Sequence, residues 1–307
     1  MNQPEDDSLI PDSQFQEALA RVSYQPGMLL GLEATRAEQD YHRRRLNRHQ
    51  YWLHGSGTVC GLRVHARAEQ EPADEDTPAV VRLFVAPGVG LDGLGREVTV
   101  TEPYCVDLSA WLTTQHQDEN AWETLIRDGY EEAANALWLK VTMRYQECAS
   151  GYQPVLAASV NAGTDPVKPS RVKDCVALEL LPERPVNSSQ EHPFPAHAAV
   201  PELATIAGKR LGPIEQKRLD GATGAARKRL EMGARMLFAL GEDDLAVRDL
   251  GELEETAALH ARTLLARVRI RLAQDRKLIL NPRRIEVDNL AREFLFSPNQ
   301  IARNLGE

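Results

Sequence analysis

The stretch from Ala37 to Val64 holds the side chains best able to do chemistry. Its sequence, AEQDYHRRRLNRHQYWLHGSGTVCGLRV, places imidazoles and a thiol close to a run of arginines. Imidazole nitrogens and thiolates are zinc ligands, and a thiolate beside an imidazolium is a nucleophile. One hypothesis is therefore a metal-dependent hydrolase with four candidate ligands: His42, His49, His54 and Cys60.

The spacing of these residues argues against that chemistry. His42 and His49 are two helical turns apart, about 10 Å along the axis, whereas zinc-binding pairs on a helix favour i, i+4 spacing. The four cysteines show no C-x-x-C spacing. The glycines of GVGLDG precede REVTV, a strand pattern, so they lack the helix that a dinucleotide motif needs. We therefore predict a non-enzymatic protein with no catalytic residue, no metal and no cofactor.

Arginines on the helical part of this stretch indicate a different role. A planar, permanently charged surface fits an acidic partner protein. We predict such a surface from four residues: Arg43, Arg44, Arg45 and Arg48. A nucleic-acid surface on these arginines, or on 209–235, is the alternative, and the net charge of -9 disfavours it because such binding depends on many phosphate contacts.

The helix and the glycines that follow it predict a rigid elbow. The helix spans about 33–53, with one inward stripe at i, i+4, i+7 and i+11: His42, Leu46, His49 and Leu53. The elbow residues are His54, Gly55, Gly57 and Gly61. At least one of these glycines is expected to adopt a positive φ. The strand TVCGLRV then carries Cys60, Leu62 and Val64 on its inner face.

Alternating apolar patterns place several strands before residue 183. VVRLFVA and LWLKVTMRY alternate, LDGLGREVTV contains an Asp-Gly turn, and DCVALELL follows a long polar loop. The fold class is therefore α+β, with an N-terminal helix packed on a mainly antiparallel β-sheet or small barrel and a C-terminal α-helical region after it. The predicted divisions are an acidic arm (1–23), an α+β domain (24–183), a Pro-rich linker (184–202) and a helical region (203–307).

Charge and hydropathy place the protein away from membranes. No apolar run approaches the roughly 18 residues of a membrane span. The start, MNQPEDDSLIPDSQ, is acidic and lacks the pattern of a signal peptide. A cytoplasmic protein is expected.

The predicted helical region rests on two segments. An apolar stripe runs over about 245–272, and Gly221 and Gly224 interrupt a second helical segment.

Four motifs together resemble an uncharacterised bacterial family found in gene clusters for phage-tail-like contractile injection particles. They are a G-x-L-L bend, an E-Q-x-Y-H helix, an H-G-x-G-x-V-x-G-L turn and strand, and a P-G-x-x-x-D-x-x-G-R-E hairpin. Their positions are Gly27–Leu30, Glu38–His42, His54–Leu62 and Pro87–Glu97. The resemblance covers about 24–181 and supplies no catalytic residues.

This resemblance implies a structural or adaptor protein at the baseplate or fibre end of such a particle. Its partners would be other protein subunits in an oligomeric assembly, without nucleic acid or a membrane span. The same resemblance also allows an alternative role, in which the protein is an assembly factor for the particle and not one of its subunits.

Overall fold

The computed structural model of the chain combines helices with antiparallel sheets. It describes residues 9–14, 18–70, 80–154, 167–184, 211–237, 257–273, 279, 282–297 and 299–301. The α+β class is confirmed for these residues. No described helix combines the length and the apolar character needed to cross a bilayer.

Most of the described strands precede the two helices within 213–237, and only two strands follow these helices among the described residues. The helices are α1 (Leu9–Ser13), α2 (Leu32–His54), α3 (Leu108–Gln117), α4 (Glu119–Gly129), α5 (Pro213–Asp220) and α6 (Gly224–Leu237). The strands are β1 (Gly57–Gly61), β2 (Val64–Gln70), β3 (Val80–Val85), β4 (Gly88–Leu91), β5 (Glu97–Val100), β6 (Tyr104–Asp107), β7 (Tyr130–Glu131), β8 (Ala136–Pro154), β9 (Val167–Pro182), β10 (Arg262–Arg271) and β11 (Glu286–Asp288).

Three antiparallel sheets carry these strands. The largest has the order β11-β10-β8-β7, with β9 also paired to β8, so β8 is its central strand. The other two have the orders β1-β4-β5 and β2-β3-β6. The alternating patterns read from the sequence are confirmed, because the inward residues of β3 and β8 are fully buried: Val81, Leu83, Val85, Leu137, Leu139, Val141 and Met143. One hydrophobic core connects these residues with those of β10.

The predicted helix through 245–272 is wrong over Arg262–Arg271, which is strand β10 beside β8. A bulge between Leu264 and Ala266 shifts the alternation. Both faces of this strand are largely buried. A continuous apolar run of this kind fits a helix and a buried strand equally well. Part of the predicted helical region therefore completes the main sheet. The described α-helical residues of that region are α5, α6, 257–260 and 299–301.

Three other segments differ from their predictions. The pattern SQFQEALARV predicts a short helix over 13–22, but the first helix of the structure is Leu9–Ser13, and 18–22 are not helical. The loop predicted after LWLKVTMRY is shorter, because 149–154 and 167–170 pair as extensions of β8 and β9. The pattern after Val287 predicts a short amphipathic segment up to the C-terminus, but the described residues there are mainly bends and irregular backbone, with helix only at 299–301. The predicted linker (184–202) lies outside the described residues, except for Arg184.

Helix α2 presents its predicted inward stripe to solvent, so that face assignment is wrong. Leu46 is 58% exposed and Leu53 is 67% exposed, and His42 and His49 are exposed as well. Asn47 and Tyr51, which lie on the other side of the helix, are its buried residues. Periodicity identified the stripe correctly, but periodicity alone cannot tell which side of a helix faces the core.

Candidate docking site around helix α2

Two glycines with left-handed φ turn the end of α2 into β1. Gly55 has φ 77° and Gly57 has φ 139°, a region that costs residues with a β-carbon about 1–2 kcal/mol. The N–H of Gly55 also donates to the carbonyls of Gln50 and Tyr51, which closes the helix. A β-carbon on Gly57 would lie 2.8 Å from the carbonyl oxygen of Glu293. The expectation of a positive φ in this bend is confirmed. His54, the last residue of α2, is exposed.

A second bend at Gly61 separates β1 from β2. Gly61 has φ 68° and Leu62 has φ 54°. A β-carbon on Gly61 would lie 2.2 Å from the carbonyl oxygen of Pro87. A bulge between Thr58 and Cys60 changes the alternation along β1. Leu62 is consequently buried while Cys60 is exposed, so the prediction of one continuous strand with Cys60 on its inner face is wrong.

A buried ion pair holds the turn between β4 and β5. Asp92 is 0% exposed and Arg96 is 4% exposed. Arg96 Nε donates to Asp92 Oδ2 at 2.8 Å, and the backbone N–H groups of Leu94 and Arg96 donate to Asp92 Oδ1 at 2.9 and 2.8 Å. Burial raises the pKa of the Asp92 carboxyl above its ordinary value of 3.8, against the opposing effect of Arg96. Sequence reasoning missed this pair, although the hairpin motif contains both residues.

The same arginine connects the hairpin to the main sheet. Its guanidinium carbon lies 5.1 Å from the centre of the Tyr145 ring in β8. The Tyr145 hydroxyl donates to Asp174 Oδ1 at 2.9 Å. Burial, followed by the hydrogen bond to Asp174, raises the pKa of Tyr145 above its ordinary value. Tyr145 therefore acts as a protonated hydrogen-bond donor at neutral pH.

A buried arginine fastens the C-terminal segment to the elbow. Arg292 Nη1 donates to the carbonyl of Leu62 at 2.8 Å, and Arg292 Nε donates to the carbonyl of Asn289 at 2.9 Å. Burial lowers the pKa of Arg292 to about 10, so it stays charged at neutral pH. Thr58 exchanges backbone hydrogen bonds with Glu293 and Leu295, both at 2.9 Å. The elbow is thus closed by residues more than 200 positions away, which no local pattern indicates.

Two of the four predicted surface arginines bind the chain's own N-terminal segment. Arg43 donates to Asp12 at 2.9 Å, and the Asp12 side chain is fully buried. Arg48 donates to the carbonyl of Gln14 at 2.7 Å. Arg45 donates to the hydroxyl of Tyr41 at 2.8 Å. Arg44 is half-buried. The arginines therefore do not form one open basic face, and Arg45 is the exposed member.

We expect Arg43→Ala to release the N-terminal segment from α2. The substitution leaves the Asp12 carboxylate buried without this donor, and a hydrogen bond to a charged group contributes about 1.5–3 kcal/mol. Hydrogen–deuterium exchange should show faster exchange at the amides of 9–14. Arg36→Ala is the control, because Arg36 is exposed and has no partner among the described residues. Equal exchange in the two variants would show that Arg43 does not hold this segment.

The histidines and Cys60 of the metal hypothesis are exposed and dispersed. His42 contacts Glu38 at 3.1 Å. The His49 and His54 rings are 6.0 Å apart, centre to centre, in an edge-to-face arrangement. Within the described part of the chain, no three His, Cys, Asp or Glu residues are grouped so that they could hold a metal ion.

Apolar side chains before and at the start of α2 are exposed to solvent. Leu29 is 93% exposed and Leu32 is 66% exposed. Tyr24, Met28 and Leu30 are exposed as well. We call residues 24–32 the apolar bend. Five exposed apolar side chains within nine residues make this bend a candidate contact for another molecule.

Comparison with models of known protein families found no match, and comparison with curated proteins found none. The geometry around α2 is therefore interpreted from its own residues.

Proposed function

We propose that this chain is a non-enzymatic structural or adaptor subunit of a phage-tail-like contractile injection particle, at its baseplate or fibre end. The observation that carries the proposal is the exposed apolar bend, which contains the G-x-L-L motif. Its leucines gain little from contacts within their own chain, and burying an exposed leucine side chain contributes about 1.5–3 kcal/mol. The bend is therefore suited to docking on another subunit.

Two further features support this role. The elbow closes through close backbone contacts at Gly57 and Gly61 and through the buried Arg292, so the C-terminal end of α2 is fixed to a well-packed base. Helix α2 has 23 residues and extends about 34 Å, which carries the apolar bend away from that base. A rigid base with a projecting apolar end suits an adaptor that joins two neighbours. The chain would be made in the cytoplasm and incorporated into the particle there.

The test is a mass-spectrometric inventory of particles purified from the native host. We expect the wild-type chain in intact particles, and we expect Leu29→Asp to be depleted from them because a charge on the bend opposes its burial. Leu290→Asp is the matched control, since Leu290 is also highly exposed and lies near the C-terminus. A chain that is expressed, absent from intact particles and still required for their formation would contradict the subunit role and indicate an assembly factor.

A further inference from the structure

Two cysteines meet on one face of the antiparallel pair formed by β8 and β9. The register pairs Gln146 with Cys175 and Cys148 with Lys173. Residues paired across an antiparallel sheet share a face, and side chains alternate along each strand, so Cys148 and Cys175 are diagonal neighbours on the same face. The two thiols are hydrogen-bonded to each other. Both cysteines are half-buried, so solvent can reach the pair.

The pair lies where the main sheet ends and a two-stranded ribbon continues. Strand β10 pairs with β8 only as far as Arg144, whereas β9 pairs with β8 as far as Pro154. Beyond Arg144, β8 therefore has one neighbouring strand among the described residues. The ribbon past the cysteines, at 149–154 and 167–173, is mostly exposed and lies outside the hydrophobic core. A covalent bond between the cysteines would fasten the two strands at the base of this exposed extension.

The positions of Cys148 and Cys175 suit a disulfide. Diagonal neighbours in a sheet are about 7–8 Å apart, with their β-carbons somewhat closer, and Cα atoms of disulfides are usually at most about 6.8 Å apart. The hydrogen bond between the thiols shows that the side chains already converge. Closing the bond therefore requires only a small shift of the strands, and an exposed two-stranded ribbon can make that shift by twisting.

The surroundings of the pair provide both a protonated thiol and a nearby cation. The hydrogen bond with Cys148, followed by burial, raises the pKa of Cys175, whereas the charge of Lys173 acts in the opposite direction. Lys173 is exposed and is paired directly with Cys148, so its side chain is on the face of the cysteines. A cation beside thiols favours the thiolate, which is the attacking species in thiol–disulfide exchange.

We propose that Cys148 and Cys175 are a reversible modification site, at which a low-molecular-weight disulfide converts the two thiols into a cross-strand disulfide that fastens the ribbon. One cysteine thiolate attacks a sulfur of the small disulfide, which forms a mixed disulfide and releases one small thiolate. The other cysteine, also as a thiolate, attacks the protein sulfur of the mixed disulfide and releases the second small thiolate. The protein loses two electrons and two protons, and the small disulfide becomes two thiols. This inference does not depend on the subunit role proposed above.

Oxidation by glutathione disulfide, followed by alkylation and mass spectrometry, tests the site. A full-length variant with Cys60→Ser and Cys105→Ser leaves the pair as the only cysteines of the chain. We expect both remaining thiols to lose their reactivity towards the alkylating agent, and we expect a peptide in which Cys148 is joined to Cys175. An excess of reduced glutathione should restore both thiols. The wild-type chain should give the same joined peptide.

Single serine substitutions distinguish the disulfide from independent reaction of two thiols. Cys175→Ser in the same background leaves Cys148 without its neighbour, so the mixed disulfide should be at least about 10-fold more abundant than with the intact pair, where the second thiol acts at high effective concentration. Cys148→Ser should behave in the same way. An intact pair that ends with two glutathione adducts, or that stays reduced under conditions that modify the single-cysteine variants, would overturn the proposal.

Hydrogen–deuterium exchange measures the effect on the ribbon. Amides of 149–154 and 167–173 should exchange more slowly in the oxidised chain than in the reduced chain, and Cys148→Ser should abolish the difference. Exchange in the N-terminal segment 9–14, which is bound to α2, should be the same in both states. Equal exchange of the ribbon in the two states would overturn the claim that the disulfide fastens it.

Discussion

Replacing Gly95 with alanine is expected to lower the free energy of unfolding by about 2–5 kcal/mol, the sum of two costs. Gly95 has φ 75°, which penalises a residue with a β-carbon. The new β-carbon would also lie 2.0 Å from the carbonyl oxygen and 2.8 Å from the carbonyl carbon of Asn47. Both are backbone atoms in the middle of α2, so rotation of a side chain cannot relieve the overlap. The helix or the β4–β5 turn must move.

Gly27→Ala separates these two costs. Gly27 has a similar φ of 83°, but a β-carbon there would meet no atom within 4 Å. Its loss should therefore not exceed the conformational cost of about 1–2 kcal/mol. Urea denaturation followed by tryptophan fluorescence measures both variants against the wild type. If Gly95→Ala and Gly27→Ala are equally stable, the helix does not press on the hairpin as the structure describes.

Arg96→Leu is expected to cost about 3–5 kcal/mol, because it leaves the buried Asp92 carboxylate without its partner charge. Arg127→Leu is the matched control. Arg127 also pairs with a neighbouring aspartate, Asp128, but both side chains are largely exposed, so no measurable loss is expected. The double variant Asp92→Asn with Arg96→Leu should be more stable than Arg96→Leu alone, because the charge is gone and the amide oxygen can still accept the turn's N–H groups.

The loss in Arg96→Leu should depend on pH. Burial already raises the pKa of Asp92, and removing Arg96 removes the main opposing effect. A carboxyl with a higher pKa in the folded state takes up a proton on folding, so its contribution to stability is largest at low pH and falls as pH rises through the folded pKa. The variant should therefore be closest to wild type near and below the ordinary carboxyl value of 3.8 and furthest from it at mildly alkaline pH. A pH-independent difference would mean that the unpaired charge is not the cause.

Local patterns in the chain were enough to predict several elements of the fold. The strand Val80–Val85 alternates between buried and half-buried side chains, the predicted inward residues of Leu137–Met143 are buried, and the Asp92-Gly93 turn connects two strands. Helix α2 and the glycines that end it were also predicted, because a helix period and left-handed glycines depend only on neighbouring residues. Each of these features depends only on residues that are close to one another in the sequence.

Tertiary structure alone decided which side of α2 is buried, where Arg262–Arg271 belongs, and which charges lose contact with water. The predicted inward stripe faces solvent because Asn47 packs on Gly95 of the hairpin, and Arg43 and Arg48 bind the N-terminal segment. Residues Arg262–Arg271 form a strand because their backbone hydrogen-bonds along the edge of β8, while the side chains on both faces of the strand are largely buried. Asp92, Arg96 and Arg292 are buried because segments distant in sequence close over them. Hydrophobic periodicity predicts which face of an element is apolar. Contacts between residues far apart in the chain determine whether that face is buried and which element packs on it.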